Sequence, residues 1–176
     1  MCHYITLIAP CADQDAVSEV MDRHGRAATP IANPSVARVL KDGECQYLTT
    51  RGHCDCGTAL VPGLAPGDAD AAHAKEAAKL ARKGWTQAKI ARAMDGRRKA
   101  AARPGRDGPD SVALWAAIVD DLLASLKLPH VGLLVHFYSG DVRDEVFTAM
   151  RRDAAGAAIA NLESMRPDEV LVLRKT

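Results

Sequence analysis

The chain predicts an α+β fold: a four-stranded, mainly antiparallel sheet with helices on one face, in ferredoxin-like strand order, carrying an inserted basic helical hairpin. Three observations lead there. Four short segments, 3–9, 45–50, 131–138 and 169–174, are apolar, rich in β-branched residues and bounded by turn residues. The stretches between them carry helical periodicity and helix caps. The resulting order (strand, helix, strand, helices, strand, helix, strand) is satisfied by helices laid on one side of a sheet.

Length and composition agree with one domain, residues 1–176. At 48% hydrophobic the chain can bury a substantial core, but at 4% aromatic that core must rest on Leu, Val, Ile, Met and Ala. No run approaches the roughly 20 apolar residues that span a bilayer. The N-terminus shows neither a basic nor an apolar leader region, so a cytoplasmic location is the expectation. Five cysteines, an odd number, then favour thiols or metal ligands over a disulfide framework.

Each element has its own justification. The strand 3–9 stops at Pro10. Residues 13–24 form a helix with Asp13 and Asp15 in the first turn, Gly25 past its end, and Ala16, Val17, Val20 and Met21 on one face. Asn33 and Pro34 open a short helix through 40 that closes near Gly43. The strand 45–50 leads into a cysteine-rich loop, then into a Gly/Pro/Asp-rich link over 62–70. A helix over 71–83 ends at Gly84, and Thr86 caps another that runs to about 102, before Pro104 and Gly105. Asp110 or Ser111 starts a helix that ends before Pro129 and buries Leu114, Trp115, Ile118, Leu122 and Leu123. The strand 131–138 is nearly continuous in apolar residues, which places it centrally. The spacing predicts a helix over 144–152, leaves 157–165 open, and ends on the strand 169–174.

In ferredoxin-like order the first two strands run parallel, with the third antiparallel between them. Cys11, the loop at 53–56 and His130 would then share one edge of the sheet. Cys2 and Cys45 would lie at the opposite edge. The topology thus pairs the loop with Cys11 and His130, not with Cys2 and His3.

That loop, Arg51 to Gly57, holds His53, Cys54, Asp55 and Cys56. Cys54 and Cys56 are one residue apart, so in extended backbone both thiols face the same side. Together with His53, Cys11 or His130 they make a tetrahedral zinc set, and their thiolates suit Cu(I) as well. Two other readings stand beside this one. The cysteines can be buried small apolar residues. They can also form a strained, labile redox pair, with Asp55 opposing thiolate formation and Arg51 and His53 favouring it.

Cys2 offers a further route to thiol chemistry. Met1-Cys2 resembles the start of the N-terminal-nucleophile amidotransferases, and the resemblance implies a Cys2 nucleophile once Met1 is removed. It covers two residues. His3 stands where those enzymes usually have Gly, and the chain is short for their four-layered fold.

A net charge of +1 conceals an asymmetry. Between 75 and 106 there are eleven Lys/Arg against Glu76 and Asp95, a local +9 that leaves −8 for the rest of the chain. Residues 80–94 resemble the first half of a helix-turn-helix, but 95–99 lack a clear turn into a recognition helix. Lys89, Arg92, Lys99 and Arg103 form one helical stripe suited to nucleic-acid phosphates or an acidic protein partner, while Trp85, Ile90 and Met94 face inward. The plainer alternative is a solvated hairpin. Phosphate-binding Gly-rich loops, Gly-x-Ser-x-Gly elbows and His-Glu-x-x-His motifs are absent. The sequence therefore points to a small metal-binding or regulatory protein using the 53–56 loop. A cysteine-dependent enzyme, through Cys2 or through Cys54 and Cys56, and a nucleic-acid or partner-binding module are the alternatives.

Overall fold

A computed structural model of the chain describes residues 2–61, 77–78, 80–82, 85–92 and 110–175. The chain falls into two compact units, Met1–Val61 with Gly105–Thr176, and Pro62–Pro104.

The larger unit is built on a six-stranded mixed sheet. Its strands are β1 (Cys2–Ala9), β2 (Thr29–Ile31), β3 (Cys45–Leu48), β4 (His130–Tyr138), β5 (Met150–Ala154) and β6 (Glu169–Arg174), in the order β2-β3-β1-β4-β6-β5. Every neighbouring pair is antiparallel except β5 and β6. The helices are α1 (Gln14–Arg23), α2 (Pro34–Ala37), α3 (Val112–Ser125) and α4 (Ala158–Glu163).

This corrects the expected four-stranded ferredoxin-like sheet in two places. First, β1 and β3 are direct antiparallel neighbours, Thr6 opposite Leu48 and Ala9 opposite Cys45. The three-residue strand β2 lies outside β3 and reverses the chain into it. Pro30 within β2 cannot donate to a ladder, which restricts such a strand to a sheet edge. Second, the segment expected as a helix over 144–152 ends in strand β5. Its charges make poor strand residues taken alone, but the neighbours neutralise them. Arg151 binds Glu44, Arg152 lies 3.0 Å from Glu169, and Asp153 lies 2.8 Å from Arg174.

The helices form where their caps dictate. Asp13 accepts from the Ala16 N–H and Ser111 from the Leu114 N–H, each satisfying an otherwise orphaned donor. Gly25 leaves α1 at φ +71°, a left-handed conformation that glycine adopts without strain. Ile5, Leu7, Leu133 and Leu171 on one sheet face pack against Val17, Met21, Trp115, Ile118 and Leu122 of α1 and α3. On the other face Ile8, Leu134, Val170 and Val172 pack with Val36 and Phe147. Gly132 lets that second layer close, because a Cβ there would meet Ile8 and Val170 atoms at 3.2 Å. Among the described residues no helix is long and apolar enough to cross a membrane.

In the smaller unit, helical residues occur at 77–78, 80–82 and 87–92. Leu80 and Ile90 are buried against Ala77 and Trp85, so the inward stripe forms there as expected. Lys89 and Arg92 are exposed, and the Lys89 ammonium sits 4.2 Å from the Trp85 ring centre. Met94, Lys99 and Arg103 lie outside the described residues.

One end of the sheet is held by Glu44, whose side chain is fully buried. It accepts from both terminal guanidinium nitrogens of Arg151 at 2.8 Å, from the Lys41 N–H at 2.7 Å, and lies 2.5 Å from His130 Nε2. Burial alone would raise its carboxyl. The bonds from Arg151, Lys41 and His130 outweigh burial and hold it at about 2, against an ordinary 4.5. Because the unfolded chain protonates first, Glu44's contribution to stability is intact above about pH 4.5 and is lost as pH falls toward 2. Urea midpoints should fall across that window. Glu44→Gln should be less stable at neutral pH, with Arg151 left unpaired, and should show a flatter fall; an unchanged profile would refute the assignment.

Candidate metal centre

The antiparallel pairing of β1 and β3 delivers the end of β3 to the start of β1. Thr49 continues the pairing, donating its N–H and its hydroxyl to the Ile5 carbonyl at 3.0 and 2.9 Å. The loop that follows then runs beside the remaining edge of β1 and takes over its ladder. Asp55 Oδ2 accepts from the Ile5 N–H at 2.8 Å, the Asp55 N–H donates to the His3 carbonyl at 2.8 Å, and Cys56 Sγ accepts from the His3 N–H at 3.1 Å. Tyr4 donates its hydroxyl to the His53 carbonyl at 2.7 Å.

Asp55 is the anchor of this loop. Its residue is 1% exposed. It pairs with the guanidinium of Arg26 and accepts from the Thr50 hydroxyl at 2.5 Å. Arg26 also binds Asp110 at 3.0 Å and Thr49 at 3.3 Å, and lies 4.7 Å from the Trp115 ring centre. The sequence placed this carboxylate between two thiols as an opponent of thiolate formation. The fold instead turns it inward, onto Arg26.

With Asp55 turned inward, the residues on either side of it meet the start of β1. The Sγ atoms of Cys2, Cys54 and Cys56 all lie within 4.8 Å of one another, and all three thiols are free. With metal–sulfur bonds of about 2.3 Å, a tetrahedral ion holds its sulfurs about 3.8 Å apart, so a small contraction suffices. His3 Nδ1 lies 3.7 Å from Cys56 Sγ. Cys2 and Cys54 are half-buried and Cys56 is exposed.

Burial sets the electrostatics, and crowding adds to it. Burial raises the Cys56 thiol, the His3 N–H lowers it, and Cys54 and Cys2 raise it further, to about 11. Burial also lowers His3, reinforced by His136 and partly offset by Asp168. Tyr4 is raised, first by burial and then by the three cysteines and Asp55 around it. A cation seated among the thiols would relieve this repulsion by displacing their protons.

The fold separates the other expected ligands from this cluster. Cys11 lies two residues beyond the far end of β1, an eight-residue strand that spans roughly 25 Å. There its carbonyl accepts from the Tyr47 hydroxyl at 2.5 Å. His130 is at the same end, bound to Glu44. The expected edge assignment is thus reversed: Cys2 joins the loop, and Cys11 and His130 do not, because β3 runs antiparallel to β1. His53 is exposed and contributes its carbonyl, and its ring is not among the three mutually close donors. Cys2 and His3 were noticed in the sequence. Their partnership with the loop depended on strand direction, which no local signal carries.

No protein-family model, curated protein or solved structure matches the chain.

The anchoring role of Asp55 is directly measurable. Arg26→Met keeps the bulk of the side chain but leaves Asp55 buried and unpaired, which should cost about 3–5 kcal/mol of unfolding free energy in urea. Asp55→Asn should cost less, since its amide oxygen can still accept from the Ile5 N–H. A loss below about 1 kcal/mol for Arg26→Met, the size of an exposed ion pair, would show that this pair does not hold the loop.

Proposed function

We propose that this chain is a small metal-binding protein in which Cys2, Cys54 and Cys56 hold one thiophilic ion, zinc or Cu(I). The observation that carries this reading is the meeting of three thiols from two distant parts of the sequence within 4.8 Å. Soft thiolate donors select such ions over magnesium or calcium. The anchored Asp55 and Tyr4 contacts give the loop a fixed backbone on which to present them. An ion bound there joins the start of β1 to the loop, so metal supply would be linked to the stability of this sheet edge.

Through Cys56, the cysteine-enzyme reading has less support. An activated cysteine has a lowered pKa, whereas Cys56 is pushed up to about 11 and stays protonated at neutral pH. That same property makes metal uptake pH-dependent, since each proton displaced adds about tenfold in affinity per pH unit.

Protein purified without chelator should carry one equivalent of zinc or copper by native mass and metal analysis. Cys54→Ser with Cys56→Ser should abolish uptake, Cys2→Ser should weaken it, and Cys11→Ser should leave it unchanged. Metal-free wild type that takes up neither ion on titration would refute the reading.

A second reading concerns the basic unit. Ile90 is buried while Lys89 and Arg92 are exposed, and the segment 75–106 carries a local +9, an arrangement suited to phosphate backbones. If it binds nucleic acid, affinity should fall steeply with salt. Neutralising Lys89, Arg92, Lys99 and Arg103 should weaken binding to all sequences alike. No binding to DNA or RNA at low salt would remove this reading.

A further inference from the structure

Resting on the metal reading above, we infer that His3 completes the centre through Nδ1, giving a closed Cys3His tetrahedron selective for zinc. Metal–sulfur bonds of about 2.3 Å and metal–nitrogen bonds of about 2.0 Å place sulfur and nitrogen of one tetrahedron about 3.5 Å apart. His3 Nδ1 stands 3.7 Å from Cys56 Sγ, within a few tenths of an ångström of that edge. Without metal, the same approach is a weak thiol–imidazole contact, and an incoming ion takes the place of the thiol proton.

The backbone of His3 is already committed to the site. Its N–H donates to Cys56 Sγ at 3.1 Å and its carbonyl accepts from Asp55 at 2.8 Å, so the loop grips it on both sides. Only the ring has freedom, and it rests 4.9 Å from the Phe137 ring centre. The three sulfurs are mutually within 4.8 Å without the imidazole, so binding requires the ring to turn about its Cα–Cβ bond toward Cys2 and Cys54. The N–H bond to Cys56 sulfur has a second consequence. It would draw charge from a thiolate in a set that carries three negative charges against two positive ones, the kind of outer partner that tunes a metal site.

Among the described residues two other nearby donors are engaged elsewhere, and the His53 ring is not among the mutually close donors. Asp55 is turned onto Arg26 and Ile5, and the Tyr4 hydroxyl donates to His53. With His3 bound, all four positions are filled by protein. The centre would then hold structure rather than activate water, because a catalytic zinc keeps an open position.

The test uses the full chain, stripped of metal and titrated with zinc and, separately, with Co(II). In wild type, long-range 15N NMR should show His3 Nδ1 shifted by zinc and Nε2 protonated. Co(II) should give intense tetrahedral d–d bands. His3→Ala and His3→Gln should keep one metal per chain but bind zinc at least about tenfold more weakly, the lower bound for losing even an outer partner. Their Co(II) bands should shift as the nitrogen ligand is lost. Zinc bound to wild type with Nδ1 unmoved, or a His3→Ala protein of unchanged affinity and Co(II) spectrum, overturns the fourth ligand and leaves the three-thiolate reading standing. Wild type that takes up no zinc overturns this inference, and the copper titration then decides whether the three-thiolate reading survives.

Discussion

The buried pair of Arg26 and Asp55 is the constraint on which the rest of this structure turns. A carboxylate that is 1% exposed is tolerated only when paired and hydrogen-bonded, and Arg26 supplies the pairing. Arg26 is itself positioned by the end of α1, where its N–H donates to the Met21 carbonyl at 3.0 Å after the left-handed Gly25. The same guanidinium reaches Asp110, and the Ala59 N–H donates to the Asp110 carbonyl at 3.1 Å. The two chain ends that leave and re-enter the larger unit are therefore tied at one cation. Asp55 also does the work of a missing strand. Its carboxylate takes the Ile5 N–H, and its N–H meets the His3 carbonyl, where β3 has already ended.

The thiol cluster follows from that substitution. In an extended segment alternate side chains oppose each other, so turning residue 55 inward places 54 and 56 together. The antiparallel partner then brings Cys2 beside them. Burial, with Cys54 and Cys2 close by, disfavours the charged form of Cys56. The fold keeps them together through backbone and buried-salt-bridge contacts that do not depend on thiol ionisation.

Individual elements were legible in the sequence, but their arrangement in the sheet was not. The apolar runs gave four strands, and Asp13 and Ser111 marked where α1 and α3 begin. His136, inside the apolar run of β4, lies 2.5 Å from Asp168 and stacks on Phe147. The strands that escaped were those stabilised only by neighbours. β2 is three residues with a proline, and β5 carries Arg151, Arg152 and Asp153, whose charges are quenched across the sheet rather than along the chain. Missing β2 reversed β3, and that single reversal moved the expected site partners from one end of the sheet to the other. The Cys54–Asp55–Cys56 alternation was visible, but the inward turn of Asp55 depended on Arg26, which lies 29 residues earlier in the chain.

The two ends of the sheet show why residue type alone does not locate a metal site. Both carry cysteine and histidine. At one end His130 Nε2 is held by Glu44, itself saturated by Arg151, and Cys11 Sγ lies 3.7 Å from the Asp13 carbonyl. Ligation by His130 would break into a buried ion-paired network and take from Glu44 one of its partners, which is costly. At the other end Asp55, the buried carboxylate close to the thiols among the described residues, is turned away and neutralised, and the sulfurs lie close together. A cation gains charge stabilisation there without dismantling an existing bond network. The difference lies in how each donor is already satisfied by the fold, and that is decided by the topology and by Arg26.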